Sequence, residues 1–239
     1  DLKMRLDKLL GDNTPYSRSR LKTLIKSGQA VVNGEVERRP EAKVDFNDNI
    51  RLCGIPVRTE QFIYIKMNKP PGILTATRDK RRTVLDLVPE QFRKKGLFPV
   101  GRLDMDTTGL LLLTDDGALA HKLLSPKSHV EKTYRVVLDG PLNNKIAEEF
   151  SCGLTLKDGT ALKPAKLKII GNNEALVTIT EGKYHQIKRM FGLYSLGVLS
   201  LERTAFAGIK LSDNLLQGQC ELLTNYELKL LKNAKEQSI

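Results

Sequence analysis

Residues 101–117 read Gly101-Arg102-Leu103-Asp104-Met105-Asp106-Thr107-Thr108-Gly109-Leu110-Leu111-Leu112-Leu113-Thr114-Asp115-Asp116-Gly117. A polar loop carrying two carboxylates runs straight into four consecutive leucines. A strand alternates its side chains between two faces, so a run apolar at every position belongs inside a sheet covered on both sides. A loop anchored to such a strand is held rigidly, and a catalytic carboxylate needs rigid support. Asp115-Asp116-Gly117 reads differently, as a turn and N-cap for a helix over Leu119–Leu124.

Outward from this strand the pattern is of many strands and a few short helices. Strands are expected at Tyr64–Met67, Leu110–Thr114, Thr133–Leu138, Ala165–Ile170, Ala175–Thr180 and Val198–Ala205. Helices are expected at Leu119–Leu124, Lys145–Phe150 and Tyr184–Tyr194, the last with Ile187, Met190, Phe191 and Tyr194 as its apolar stripe. Most strands are separated by turns too short for parallel crossovers. The reading is therefore an α+β chain with a mainly antiparallel mixed sheet flanked by helices. The hydrophobic pattern restarts at Phe62-Ile63-Tyr64-Ile65, which puts a boundary near Gly54–Gln61 and divides the chain into residues 1–59 and 60–239.

The first of these parts has its own logic. Leu2, Leu6, Leu9 and Leu10 fall at i, i+4, i+7 and i+8, one apolar face of a helix. After Pro15, Ser17 is a good N-cap and Gly28 a good stop for a second helix, with Leu21, Leu24 and Ile25 buried. Arg18, Lys22 and Lys26 then line one exposed stripe. A stripe of like charge is mildly destabilising on its own, and phosphates lying against it would offset that cost. Asn33-Gly34 between β-prone residues signals a hairpin.

Lysine and arginine exceed aspartate and glutamate by 39 − 28 = 11, with a pI near 9.5. The excess favours a polyanionic partner. Two more basic clusters, Arg78-Asp79-Lys80-Arg81-Arg82 and Arg93-Lys94-Lys95, are read as loops that extend the positive surface. No apolar run approaches a membrane span, and the N-terminus lacks a secretory pattern. Three scattered cysteines point to a reducing compartment, so the cytoplasm is expected. Three isolated histidines and no Cys/His cluster argue against a bound metal.

The string Gly-Arg-Leu-Asp-x-x-Thr-x-Gly-Leu at 101–110 resembles the catalytic motif of pseudouridine synthases. Asn68-Lys69-Pro70-Pro71-Gly72 resembles that family's first motif and Lys132-Thr133-Tyr134-Arg135-Val136 its tyrosine segment. Glu181-Gly182-Lys183-Tyr184-His185-Gln186-Ile187-Lys188-Arg189-Met190-Phe191 resembles its basic segment, and Val198–Arg203 its last motif. Arg5–Leu10, Ser17–Arg20, Ile25–Gly28 and Val31–Gly34 resemble the S4 RNA-binding domain, a small αα-hairpin module. An S4-like module ahead of this core is similar to the branch that modifies ribosomal RNA, and the Tyr-His-Gln-Ile-Lys-Arg-Met form to its small-subunit members.

The resemblance implies a cofactor-free isomerase acting on ribosomal RNA. The target it implies is uridine 516 of 16S RNA in bacterial numbering, with a 23S site or a non-catalytic assembly role as alternatives. It implies Asp104 as the essential carboxylate, Lys188 as the cation beside it and Tyr134 as an aromatic floor for the base. Leu201 would cover the uracil. Lys69 and Arg102 would hold phosphates or brace the catalytic loop. Arg189 is the rival of Lys188, but on a helix it points about 100° away, so only one should reach the site. Arg5, Arg18, Arg20, Lys22, Lys26, Arg81 and Arg82 would grip RNA. Asp106 has no catalytic slot in the motif and is read as loop-stabilising. A second carboxylate ~5–9 Å from the first would instead fit an RNA glycosidase. His129 and His185 are read as structural or RNA-facing. The partner is 16S RNA or an assembling small subunit, the expected state is a monomer, and no membrane or metal is involved.

Overall fold

A computed structural model describes residues 3–234. Leu2, which the spacing puts on the first helix, lies outside the described residues. The chain divides into two compact units, Asp1–Ile63 with Val88–Leu97, and Tyr64–Leu87 with Phe98–Ile239. The segment Val88–Leu97 thus goes with the first unit although the sequence reading gave it to the second. Lys94 ties it there, donating to the backbone oxygens of Glu60 and Gln61 at 3.3 and 2.7 Å.

The first unit opens with a two-residue strand, β1 (Met4–Arg5), then α1 (Leu6–Asn13) and α2 (Arg18–Lys26). Leu6, Leu9 and Leu10 of α1 are sealed from solvent together with Leu21 and Ile25 of α2. The Ser17 side chain accepts from the Arg20 amide, as an N-cap does. Gly28 ends the helix at φ +83°, a conformation that glycine adopts freely. β2 (Ala30–Val32) and β3 (Glu35–Glu37) form the hairpin, with Asn33 and Gly34 both at positive φ as a type I′ turn demands. The unit continues through β4 (Lys43–Val44), which pairs with β1, and β5 (Ile50–Leu52) and β6 (Ile55–Pro56), which complete a four-stranded sheet.

The second unit is built on one large mixed sheet. In chain order its strands are β7 (Tyr64–Lys69), β8 (Phe98–Pro99), β9 (Thr108–Thr114), β10 (Lys132–Leu138), β11 (Lys166–Gly171), β12 (Glu174–Ile179), β13 (Val198–Phe206), β14 (Ile209–Lys210) and β15 (Cys220–Leu222). The main order is β11-β12-β10-β13-β9-β7-β15, with β8 added to β9 and β14 to β13. Only β9 and β13 run parallel; the other described pairs are antiparallel.

The four leucines of β9 behave as their pattern requires. All are at most 2% exposed. Leu110 and Leu112 pack with residues of α3 (Gly117–Leu124) and α6 (Asn225–Lys232), including Leu119, Leu123 and Leu231. Leu111 and Leu113 project from the other face and are equally buried. At roughly 2 kcal/mol for each buried leucine, this strand anchors the sheet. Asp116 caps α3 by accepting from the Leu119 amide. α4 (Asn144–Cys152) and α5 (Gln186–Gly192) meet through Phe150 and Phe191, whose ring centroids are 5.1 Å apart. α5 is shorter than the expected Tyr184–Tyr194, because His185 sits at φ +47° and breaks the helical path.

β9 lies between β7 and β13. Gly109 is paired in register with Lys69 on one side and with Arg203 on the other, and Arg203 is paired in turn with Tyr134. One row across the sheet therefore carries Lys69, Gly109, Arg203 and Tyr134. Gly109 has φ +101°, and a Cβ there would stand 2.3 Å from the Arg203 carbonyl oxygen. No residue with a side chain fits without moving a strand.

Candidate active site

The loop Gly101–Thr107 is fastened from below by the chain that follows β7. Thr75 donates its hydroxyl to the Leu103 carbonyl at 2.9 Å, and the Gly72 amide donates to the Met105 carbonyl at 2.8 Å. Lys69 does most of the bracing. Its ammonium donates to the carbonyls of Pro70, Met105 and Thr107 at 3.1, 3.1 and 2.8 Å. The side chain is fully buried, and burial pulls its pKa down to about 8 although Asp106 and Asp104 work against that. Of its two expected roles, holding phosphate and bracing the loop, the second fits, because all three donors of the ammonium are taken by carbonyl oxygens.

Opposite the loop stand the N-terminal turn of α5 and the chain leading into it. Gln186 is buried and fixes that chain, donating to the Glu181 carboxylate at 3.0 Å and accepting from the Lys183 amide at 3.0 Å. The Lys188 ammonium lies 3.5 Å from Asp104 Oδ2 and 2.8 Å from both oxygens of Asp106. Asp106 therefore does more than stabilise its own loop; it holds the shorter ion pair with the shared cation. Burial works against the charged Lys188, but the hydrogen bond and charge of Asp106, with Asp104 behind, keep its pKa above the usual value. The hydrogen bond from Lys188 holds Asp106 below the usual carboxylate range.

Asp104, Tyr134, Lys188, Leu201 and Arg102 all line one cavity of about 100 Å³. Tyr134 is 8% exposed on β10, and Leu201 is 8% exposed on β13. Arg189 does not line the cavity. One turn position round the helix, its guanidinium pairs with Asp158. Lys69 lies beneath the loop rather than in the lining. Arg18, Arg20, Lys22 and Lys26 are exposed on α2, as a binding stripe would be. Arg5 is exposed but forks onto Asp7 at 3.0 and 2.8 Å, and Arg81 pairs with Asp79 at 3.2 Å, leaving Arg82 exposed beside it.

His185 was missed as a member of this site. Its Nε2 lies 3.5 Å from Asp104 Oδ1, and its ring stacks at 3.8 Å on the exposed Tyr184 ring. His185 precedes Lys188 by three residues, but its left-handed backbone takes it out of the helix, so helical spacing alone does not place it here. Thr107, Lys183 and Gln186 also line the cavity and were not singled out.

The arrangement presents a half-exposed carboxylate flanked by an ammonium and an imidazole, with an aromatic ring and a leucine as apolar walls. It suits a planar base that must be held while a bond to its sugar is broken and remade. Comparisons with known proteins identify the family. Residues 63–192 match the model of the RNA pseudouridylate synthase family. The uncharacterized RNA pseudouridine synthase YtzG of Bacillus subtilis (strain 168) is 43% identical over 95% of this chain and 98% of its own length. The ribosomal small subunit pseudouridine synthase A of Escherichia coli (strain K12) is 38% identical over 94% of this chain and 98% of its own. A crystal structure of a pseudouridylate synthase, 34% identical, superposes with a TM-score of 0.68 over 95% of this chain and 99% of that one. By family model, by full-length similarity and by fold, the chain belongs to the RNA pseudouridine synthases.

Proposed function

We propose that this enzyme converts a uridine of small-subunit ribosomal RNA to pseudouridine, with uridine 516 of 16S RNA as the target and Asp104 as the catalytic carboxylate. The single observation that carries the site assignment is the meeting of Asp104, Tyr134, Lys188 and Leu201 around one small cavity. The rRNA assignment is supported by relatives named ribosomal small subunit pseudouridine synthase A, similar over nearly the whole chain. The first unit, with its exposed α2 cations, serves as an S4-like RNA-binding module.

In this reaction the C1′–N1 bond breaks, the uracil turns, and C5 joins C1′ while the C5 proton is lost and N1 gains one. Composition is unchanged, so no redox partner is consumed. The base must first leave its stack, at a cost of a few kcal/mol. Stacking on Tyr134 returns ~1–3 kcal/mol of that, with Leu201 closing the apolar side. The Lys188 ammonium, 3.5 Å from Asp104 Oδ2, orients that carboxylate toward the base. Arg102, exposed at the rim, meets the RNA as the base enters.

The test is chemical mapping of pseudouridine in 16S and 23S transcripts and in small-subunit particles. The expected product is one modified uridine in 16S RNA. The Asp104→Asn variant should bind RNA within about twofold of the wild type and lose at least ~10³-fold in rate. Substantial turnover by that variant would remove Asp104 from the chemistry, and modification confined to 23S RNA would reassign the substrate. Release of free uracil would point to a glycosidase.

A further inference from the structure

A second cavity of about 480 Å³ lies in the second unit next to the Asp104 cavity, and Arg102, Tyr134, Gly182 and Lys183 line both. Its lining brings five cationic side chains, Arg102, Lys132, Lys163, Lys183 and Arg203, to one carboxylate, Glu181. That carboxylate is already engaged: Oε1 accepts from the Lys163 amide at 2.9 Å and from Gln186 at 3.0 Å.

Arg203 is 2% exposed. Its Nε donates to the Leu110 carbonyl at 2.8 Å and its guanidinium carbon stands 4.9 Å from the centre of the Phe206 ring. Its Nη2 is buried and has no hydrogen-bond partner among the described residues. Lys132 Nζ reaches the Glu181 backbone oxygen at a long 3.4 Å. Burial, and then the charge of Arg203, push the Lys132 pKa down to about 8. A buried donor without an acceptor and two neighbouring cations with few acceptors both raise the energy of the empty protein. Nothing in the chemistry at Asp104 uses either group. Both deficits are removed by one ligand class, an anion with several acceptor oxygens.

We propose that this cavity is a phosphate site, in which Lys132 and Arg203 bind a phosphodiester of the RNA strand beside the nucleotide whose base lies on Tyr134. The inference rests on the reading of Tyr134 as the floor for the flipped base. Tyr134 lines both cavities, so a nucleotide stacked on it brings its backbone within reach of the second. Free phosphate presents the same tetrahedral anion, and the experiment separates the two sources.

RNA affinity is measured by filter binding across a salt series with a 16S transcript, for the wild type, Lys132→Gln and Lys132→Arg. In parallel, thermal unfolding is followed in inorganic phosphate and in chloride at matched ionic strength. Loss of one phosphate contact should lower the slope of log K against log salt by ~0.7–0.9 in Lys132→Gln and weaken binding ~3–10-fold, with Lys132→Arg restoring both. Phosphate should raise the melting temperature of the wild type and not of Lys132→Gln. An unchanged salt slope in Lys132→Gln overturns the proposal. A phosphate-specific stabilisation lost in Lys132→Gln without any change in RNA slope makes this a free-anion site and overturns the RNA assignment. Because the slope is read from binding, it decides the question even if the wild type forms no pseudouridine, a result that would count against the activity reading alone.

Discussion

Lys69 and Arg203 are both cations buried within the second unit, and both flank Gly109, yet their surroundings are opposite. The Lys69 ammonium is surrounded by three carbonyl oxygens within 3.1 Å. The Arg203 guanidinium has a carbonyl on Nε and an orphaned donor on Nη2. A saturated buried charge fixes the backbone that saturates it, here the loop that carries Asp104. An unsaturated one costs stability in the free protein and is satisfied by something arriving from outside. The brace and the binding site are thus built from the same residue class and told apart by counting acceptors.

The largest expected effect strikes the position common to both regions. Gly109→Ala adds a Cβ against the Arg203 backbone at a φ that alanine tolerates poorly. We expect a loss of roughly 4 kcal/mol in urea unfolding, from backbone strain and overpacking together. A variant as stable as the wild type would show that β9 and β13 can part without penalty. Next comes Lys69→Met, which keeps the volume and strands three carbonyls. A loss of about 3 kcal/mol is expected, and pseudouridine formation should fall ~10²-fold because a displaced loop misaligns Asp104. Stability lost with turnover intact would separate the brace from the site.

The smallest effect is a pH dependence. Lys69 and Lys132 both have folded pKa values of about 8, below the ordinary 10.5 for lysine. Between these values the unfolded chain binds more protons than the folded one, so this part of the stability rises with pH across the window from about 8 to 10.5. The energetic burden of burying the charges is complete below it. RNA affinity should move the other way, falling severalfold between pH 7.5 and 9.5 as Lys132 sheds its charge, since a bound phosphate favours the protonated form. Lys132→Gln should flatten that fall while leaving the Lys69 contribution to stability in place.

The parts of this molecule that follow a local rule were legible in the sequence. The four leucines announced the central strand, Asn33-Gly34 the hairpin, and Ser17 and Asp116 their caps. The nature of the sheet came from connection lengths. Short edge strands such as β6 and β15 carry too few residues to show a period, and α6 escaped notice although Thr224 and Glu227 form a capping box. His185 was hidden because its backbone turns left-handed just where the helical pattern was expected to begin. Lys132 and Arg203 stood in quoted motifs, but no spacing tells that a cation will be buried with too few acceptors. That depends on which strands become neighbours, and here the decisive neighbours are far apart in the chain.

The parallel pairing of β9 with β13 has a consequence for synthesis on the ribosome. Asp104 emerges from the exit tunnel early, together with the brace at Lys69. Tyr134 follows, but the strand that seats it beside β9 ends only at Phe206. A nascent chain halted before that point carries its carboxylate with no wall to hold a base against it. Competence in this enzyme therefore arrives only once β13 has been made, and truncations that remove Val198–Phe206 should abolish modification while leaving the loop motif intact.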